Sequence, residues 1–173
     1  MSTSRVLVVY YSRTGTTRKV AEVLKQELKA DLEEIIDKKN REGLKGWLMA
    51  GRDAGNKALT EILEPTRNPR NYDLVVIGSP VWNDTVSTPI RTYLTKYRGS
   101  LSKVAFFTTQ KSEKTNATSD MEEILGKKPI AAIQLREKQG DDSENHKMLK
   151  AYLETINENI HVSDLEKKDV KVD

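Results

Sequence analysis

The sequence predicts an α/β fold, a three-layer, doubly wound sheet of five parallel strands. Two observations predict it. Short apolar, β-branched runs alternate along the chain with segments whose apolar residues recur at helical spacing. The clearest runs are also continuous rather than alternating, as strands covered on both faces must be. At 173 residues the chain suits one domain, 1–173, with a charged tail from about residue 163.

The elements follow in order. Arg5 to Tyr11 reads VLVVYY after the arginine, a central buried strand. Val20, Val23, Leu24 and Leu28, separated by charged residues, give an amphipathic helix. Leu32 to Asp37 reads as a second strand and Leu44 to Leu59 as a second helix. In that helix Leu44, Trp47, Leu48 and Gly51 share the face expected to pack inward, although Gly46, Gly51 and Gly55 weaken it. Pro65 and Pro69 bracket a turn before the buried strand Asp73 to Gly78, which is expected to end in a loop from Ser79 to Ser87. Pro89 suits the first turn of a helix carrying Ile90, Tyr93, Leu94 and Tyr97. Lys103 to Thr108 reads as strand four, Thr109 to about Ser119 as a polar loop, and Met121 to Leu125 as a short helix. Ile130 to Leu135 is the fifth strand, and Leu149, Tyr152, Leu153, Ile156 and Ile160 stripe the last helix.

Composition narrows the chemistry. With no cysteine, the chain has no disulfide, no thiolate nucleophile and no cysteine-held metal or cluster. Redox chemistry must therefore come from a bound organic cofactor. The 29 Lys+Arg stand against 26 Asp+Glu without a basic arm or tail, which gives no support to a nucleic-acid surface. No run reaches the roughly 20 apolar residues of a membrane span, and no signal-like segment follows Met1 to Ser4, so no membrane and a cytoplasmic location are expected. His146 and His161 lack the neighbours of a metal site. Arg52-Asp53, Asp141-Asp142 and Lys127-Lys128 read as solvated pairs.

The loop Ser12-Arg13-Thr14-Gly15-Thr16-Thr17 stands between the first strand and first helix, the place where an open parallel sheet binds anions. Four of its six residues carry hydroxyls and one is glycine. A single helix cap would account for one hydroxyl, not four. The loop is neither a Walker loop, which needs Lys before Ser/Thr, nor a GxGxxG turn. It suits a mononucleotide phosphate held by backbone amides and hydroxyls without a required metal.

Val8 to Thr17, with Ala21 and Leu24 after it, resembles the phosphate-loop signature of the flavodoxin family. The resemblance implies FMN as cofactor, strand order 2-1-3-4-5, and a phosphate held by Ser12, Arg13, Thr14, Gly15, Thr16 and Thr17. Ser79-Pro80-Val81-Trp82-Asn83 is similar to the family's ring-binding loop, with Trp82 expected to stack and Asn83 to hydrogen-bond the flavin edge. Thr108, Thr109 and Gln110 fall where the family closes over the ribityl chain. Between Thr109 and Ser119 there is no glycine or aromatic, so the second face of the ring is expected to stay open. A short link into the last helix resembles the short-chain form. A response-regulator domain shares the strand order, but Gly78-Ser79 stands where its acceptor aspartate belongs.

The resemblance implies a low-potential electron-transfer protein, with a reductase and an acceptor as partners and a monomeric or weakly dimeric state. The alternative is an NAD(P)H-dependent flavin or quinone oxidoreductase on the same fold. Family carriers are commonly strongly acidic, whereas this chain has a pI of about 8.9. No catalytic residue is assigned, because Tyr93 and Tyr97, the available proton donors, fit a core stripe.

Overall fold

The computed structural model describes residues 4–137 and 142–169, side chains of 162–169 excepted. Its centre is β1, Val6–Tyr10, buried throughout. Parallel pairing joins β1 to β2, Asp31–Glu34, on one side and to β3, Leu74–Trp82, on the other. Beyond β3 lie β5, Lys103–Gln110, and β6, Ala132–Arg136, again parallel. Between β3 and β5 in sequence comes β4, Thr85–Val86, which pairs antiparallel with β3. The main order is thus β2-β1-β3-β5-β6 with β4 off the path, the expected 2-1-3-4-5 order plus a hairpin strand.

The helices cover both faces. On one face α1, Thr16–Glu27, and α5, Ser143–Asp169, set Ala21, Leu24, Tyr152 and Ile156 against Val8, Val76 and Phe107. On the other, α2 (Gly43–Gly55), α3 (Thr88–Tyr97) and α4 (Ala117–Leu125) set Ala54, Tyr93 and Met121 against Val9, Ile77 and Phe106. The alternation of β-strand side chains divides each strand between these two cores.

Four expectations change. Ser79 to Trp82 is strand, not loop: β3 continues past Gly78, then turns at Asn83 and Asp84, both with positive φ (48° and 65°). Such a two-residue turn matches the twist of a hairpin, and Asn and Asp tolerate it. Thr109 and Gln110 likewise belong to β5 rather than to a loop, paired with Pro80 and with the end of β6. In α2 the inward face is Gly46, Ala50, Asp53 and Ala54, while Leu44, Trp47 and Leu48 point outward. At the chain's end, α5 keeps helical backbone to Asp169, within the tail expected from 163. Asp141 lies outside the described residues.

Candidate functional site

The chain leaves β1 toward β2 on one side and reaches β3 on the other, so the carboxyl ends of β1 and β3 flank a switch point where an open sheet binds ligands. The loop Ser12 to Gly15 emerges there and runs into α1. Gly15 is the N-cap residue, with φ 93°, a left-handed conformation that glycine adopts without penalty. No side chain caps the helix. The first intrahelical bond joins the Lys19 N–H to the Gly15 carbonyl, so the amides of Thr16, Thr17 and Arg18 precede it. The Ser12 hydroxyl oxygen accepts from the Gly15 N–H at 3.1 Å, which folds the loop back over the helix start. With no acid in the first turn, the positive end of the helix dipole is not offset from within the helix.

Thr17 is buried, and its Oγ1 lies 2.8 Å from Thr109 Oγ1 on β5. That bond brings together the first and third expected loops, 92 positions apart in sequence. Thr108 and Gln110 point the other way. The Thr108 hydroxyl donates to Gln110 Oε1 at 3.0 Å, and the Gln110 amide donates to Ser112 O and Gln134 Oε1, anchoring the segment after β5. Their side chains are thus committed to the scaffold. A cleft of about 840 Å³ opens beside Thr16 and Thr109, between Lys19, Lys111, Arg136 and His146. It touches none of Ser12 to Thr14 or Ser79 to Asn83.

The hairpin β3–β4 lies at the carboxyl end of β3, the other strand at the switch point. Ser79 is fully buried, its oxygen accepting the Ser87 N–H at 3.0 Å and meeting the Ser87 hydroxyl at 2.9 Å. That hydroxyl is spent on shaping the hairpin. Pro80 and Val81 are half-buried, and Asn83 and Asp84 are exposed at the tip. Asp84 is tied to the start of α4: its carbonyl accepts the Asn116 N–H at 3.1 Å and its carboxylate accepts from Asn116 Nδ2 at 2.6 Å.

Trp82 is only 8% exposed, which leaves little of its face for stacking. Its ring meets Tyr11 edge-on at 5.4 Å, and the Arg41 guanidinium lies 5.3 Å from its centre. Burial, with help from the nearby Asp37 carboxylate, pushes the Tyr11 hydroxyl up to about 12, so it stays protonated.

Arg41 was not anticipated. It is buried, donating to Asp37 at 2.5 Å and to Asp53 at 3.1 Å, while one terminal nitrogen, Nη2, has no partner among the described residues. Asp53 is therefore a buried partner, not half of a solvated pair. Burial alone would raise its carboxyl, but hydrogen bonds from Arg41 and Arg52 hold it below the usual range. The one sequence signal for Arg41 was Asp37 four residues earlier, a spacing common on any surface. Tyr93, by contrast, sits fully buried in the core stripe as expected. Among the described residues no cluster of His, Asp or Glu could hold a metal, and no helix is long and apolar enough to cross a membrane.

A doubly wound sheet with an uncapped, hydroxyl-lined helix start at its switch point defines the class of mononucleotide-binding α/β proteins. Within that class the chain belongs to the flavodoxin family, whose profile it matches over residues 5–156. A flavoprotein of Lactobacillus acidophilus, crystallised in complex with FMN, is similar at 31% identity with a TM-score of 0.66, covering 84% of this chain and 98% of that one. At the level of fold alone, two others resemble it. The two-electron reduced flavodoxin of Megasphaera elsdenii shares 14% identity (TM-score 0.57, 87% and 96% covered). The flavodoxin, WrbA-like protein of Agrobacterium tumefaciens shares 17% (TM-score 0.50, 95% and 98% covered). Among curated proteins none matches significantly.

Proposed function

We propose that this protein binds FMN and serves as a low-potential electron carrier between a reductase and an acceptor protein. The observation that carries the reading is the uncapped start of α1, where the amides of Thr16, Thr17 and Arg18 precede the first intrahelical bond, the Ser12 hydroxyl oxygen accepts the Gly15 N–H, and the Thr17 hydroxyl meets Thr109. These groups fit a phosphate: donors are plentiful, no acid of the helix's first turn opposes the anion, and Gly15 leaves the approach clear, with nothing within 4 Å of where a side chain would start. Arg13 adds a positive charge to the same loop.

FMN, when bound, supplies the electron chemistry. The residues hold and tune it. Backbone groups of Pro80, Val81 and Asn83 serve the ring, since the Ser79 and Trp82 side chains are occupied elsewhere. Thr109 serves the ribityl side. Asp84, fixed by Asn116, places a negative charge at the hairpin tip and opposes charge arriving with the second electron, whereas Arg13 and Lys111 favour it.

One observation favours a second reading, an NAD(P)H-dependent oxidoreductase: the exposed segment Lys111 to Lys114 has no aromatic to cover a ring face. A single experiment separates the two. The protein is reconstituted with FMN and mixed anaerobically with NADH or NADPH, and absorbance is followed near ~450 nm. Colour that persists until a reductase is supplied supports the carrier. Rapid direct bleaching replaces it with the oxidoreductase, and a protein that stays colourless with added FMN overturns both.

A further inference from the structure

The outward face of α2 is apolar where a solvated helix face should be polar. Leu44, Trp47 and Leu48 are 74%, 55% and 58% exposed, and with Gly51 they form one i, i+3, i+4, i+7 stripe. A contiguous patch centred on an exposed tryptophan is the usual composition of a protein-binding hot spot.

The stripe adjoins the candidate flavin site at two points. Gly55, at the end of α2, abuts Asn83 so closely that a side chain there would meet the Asn83 amide. Arg41, just before α2, lies against Trp82.

Charge selects the occupant. Between Asp37 and Lys57 there are six Lys/Arg and three Asp/Glu, so this segment alone carries the +3 of the whole chain and the remainder is balanced. Within α2 the only acid is Asp53, which is buried and accepts from Arg52 at 3.2 Å, while the side chains of Lys45 and Arg52 flank the stripe in solvent. At 3.6 residues per turn those two cations lie on the same flank, about 20° apart. Packed antiparallel on a second copy, with the two-fold axis between positions 48 and 49, the stripe would set Lys45 against Arg52 of that copy with no exposed acid of α2 between them. Like charges oppose such a dimer, whereas carboxylates on a different protein would complement them.

We propose that this face docks an acidic redox protein, its apolar centre closing on Trp47 and its carboxylates pairing with Lys45 and Arg52. The inference rests on the electron-carrier reading and names the kind of partner that reading requires. It inverts the charge pattern expected of an acidic carrier meeting a basic partner.

The test begins in the cells the protein comes from, with a photo-crosslinking amino acid at Leu44, which is 74% exposed and leaves Trp47 in place, and, as control, at exposed Lys150 on α5. Proteins captured at position 44 are identified, purified and titrated against the FMN-loaded protein. The expected result is an acidic protein carrying its own redox group. Its Kd should weaken at least about tenfold in Trp47→Ser, in Lys45→Glu/Arg52→Glu, and on raising salt from ~50 to ~300 mM. Capture no greater than at Lys150, capture of a second copy, a basic or redox-inactive captured protein, or a Kd indifferent to the charge reversals each overturns the proposal. FMN titration of the wild type and every variant keeps the two readings apart. Failure to bind FMN, or rapid direct bleaching by NADH or NADPH, strikes the carrier reading, while FMN binding with colour that persists under both but without partner capture strikes this one alone.

Discussion

At the scale of single residues, the Thr17–Thr109 hydroxyl pair and Asp84 carry the sharpest consequences. Thr17 is the buried member of the proposed phosphate loop, and its hydroxyl has the capacity to serve a phosphate while still contacting Thr109. Thr17→Val keeps the shape and removes the hydroxyl, leaving Thr109 to find another partner. The expected loss is about tenfold in FMN affinity, roughly 1.4 kcal/mol, at the boundary between an ordinary hydrogen bond and one to a charged group. Flavin fluorescence titration measures it, and an unchanged Kd would reduce Thr17 to a scaffold contact. Asp84→Asn preserves both the positive-φ turn and the acceptor for Asn116 but removes the charge. Potentiometry should then show the second-electron potential rising by on the order of tens of millivolts. An unchanged or lower potential would count against the placement of Asp84 at the ring.

At the scale of elements, the hairpin β3–β4 depends on one enclosed oxygen. Ser79→Ala leaves the buried Ser87 N–H without its acceptor, and urea denaturation should register a loss of about 1–3 kcal/mol. Stability within a few tenths of wild type would mean that another group satisfies that amide. This hairpin also shows what a linear reading captures. Leu74 to Gly78 was legible as a strand because every residue is apolar or small and both faces are covered. Its continuation was not, because Ser79-Pro80 has the composition of a turn. Pro80 is tolerated there at the carboxyl end of the strand, alongside Thr109 of β5. The candidate phosphate loop could be proposed from sequence because its donors are local: strand, glycine, hydroxyls and helix start follow one another directly. Thr109 was named through the resemblance and Arg41 not at all, because their contacts run across the sheet and between elements, which spacing does not encode. For α2 the inward face was read backwards for a physical reason. The helix approaches the protein through its smallest residues, and a Cβ on Gly46 would fall 2.2 Å from the Arg41 carbonyl carbon. A pattern search weights bulk and so selected the Leu44, Trp47, Leu48 stripe instead.

At the scale of the whole molecule, the Asp37–Arg41–Asp53 cluster ties together parts that the sheet alone does not join. Asp37 follows β2, Arg41 precedes α2, Asp53 lies near its end, and the Thr60 hydroxyl donates to Asp37 at 2.8 Å. Through Arg41 the cluster also reaches Trp82 and thus the hairpin at the candidate site. Asp53→Asn leaves the buried Arg41 guanidinium with Asp37 as its one carboxylate, so it should cost about 1–3 kcal/mol, more than the loss of a surface pair would. The pH dependence has a definite sign. The folded-state pKa of Asp53 is depressed, so its contribution is fully present above the unfolded value near ~4 and is lost as pH falls through the lower folded value. Urea titrations of wild type and Asp53→Asn across acidic pH should therefore converge: the difference is constant at neutral pH and shrinks below about pH 4. A difference that persists unchanged into strong acid would mean that Asp53 acts through packing rather than charge. In that case Arg41 would be held against Trp82 by Asp37 alone.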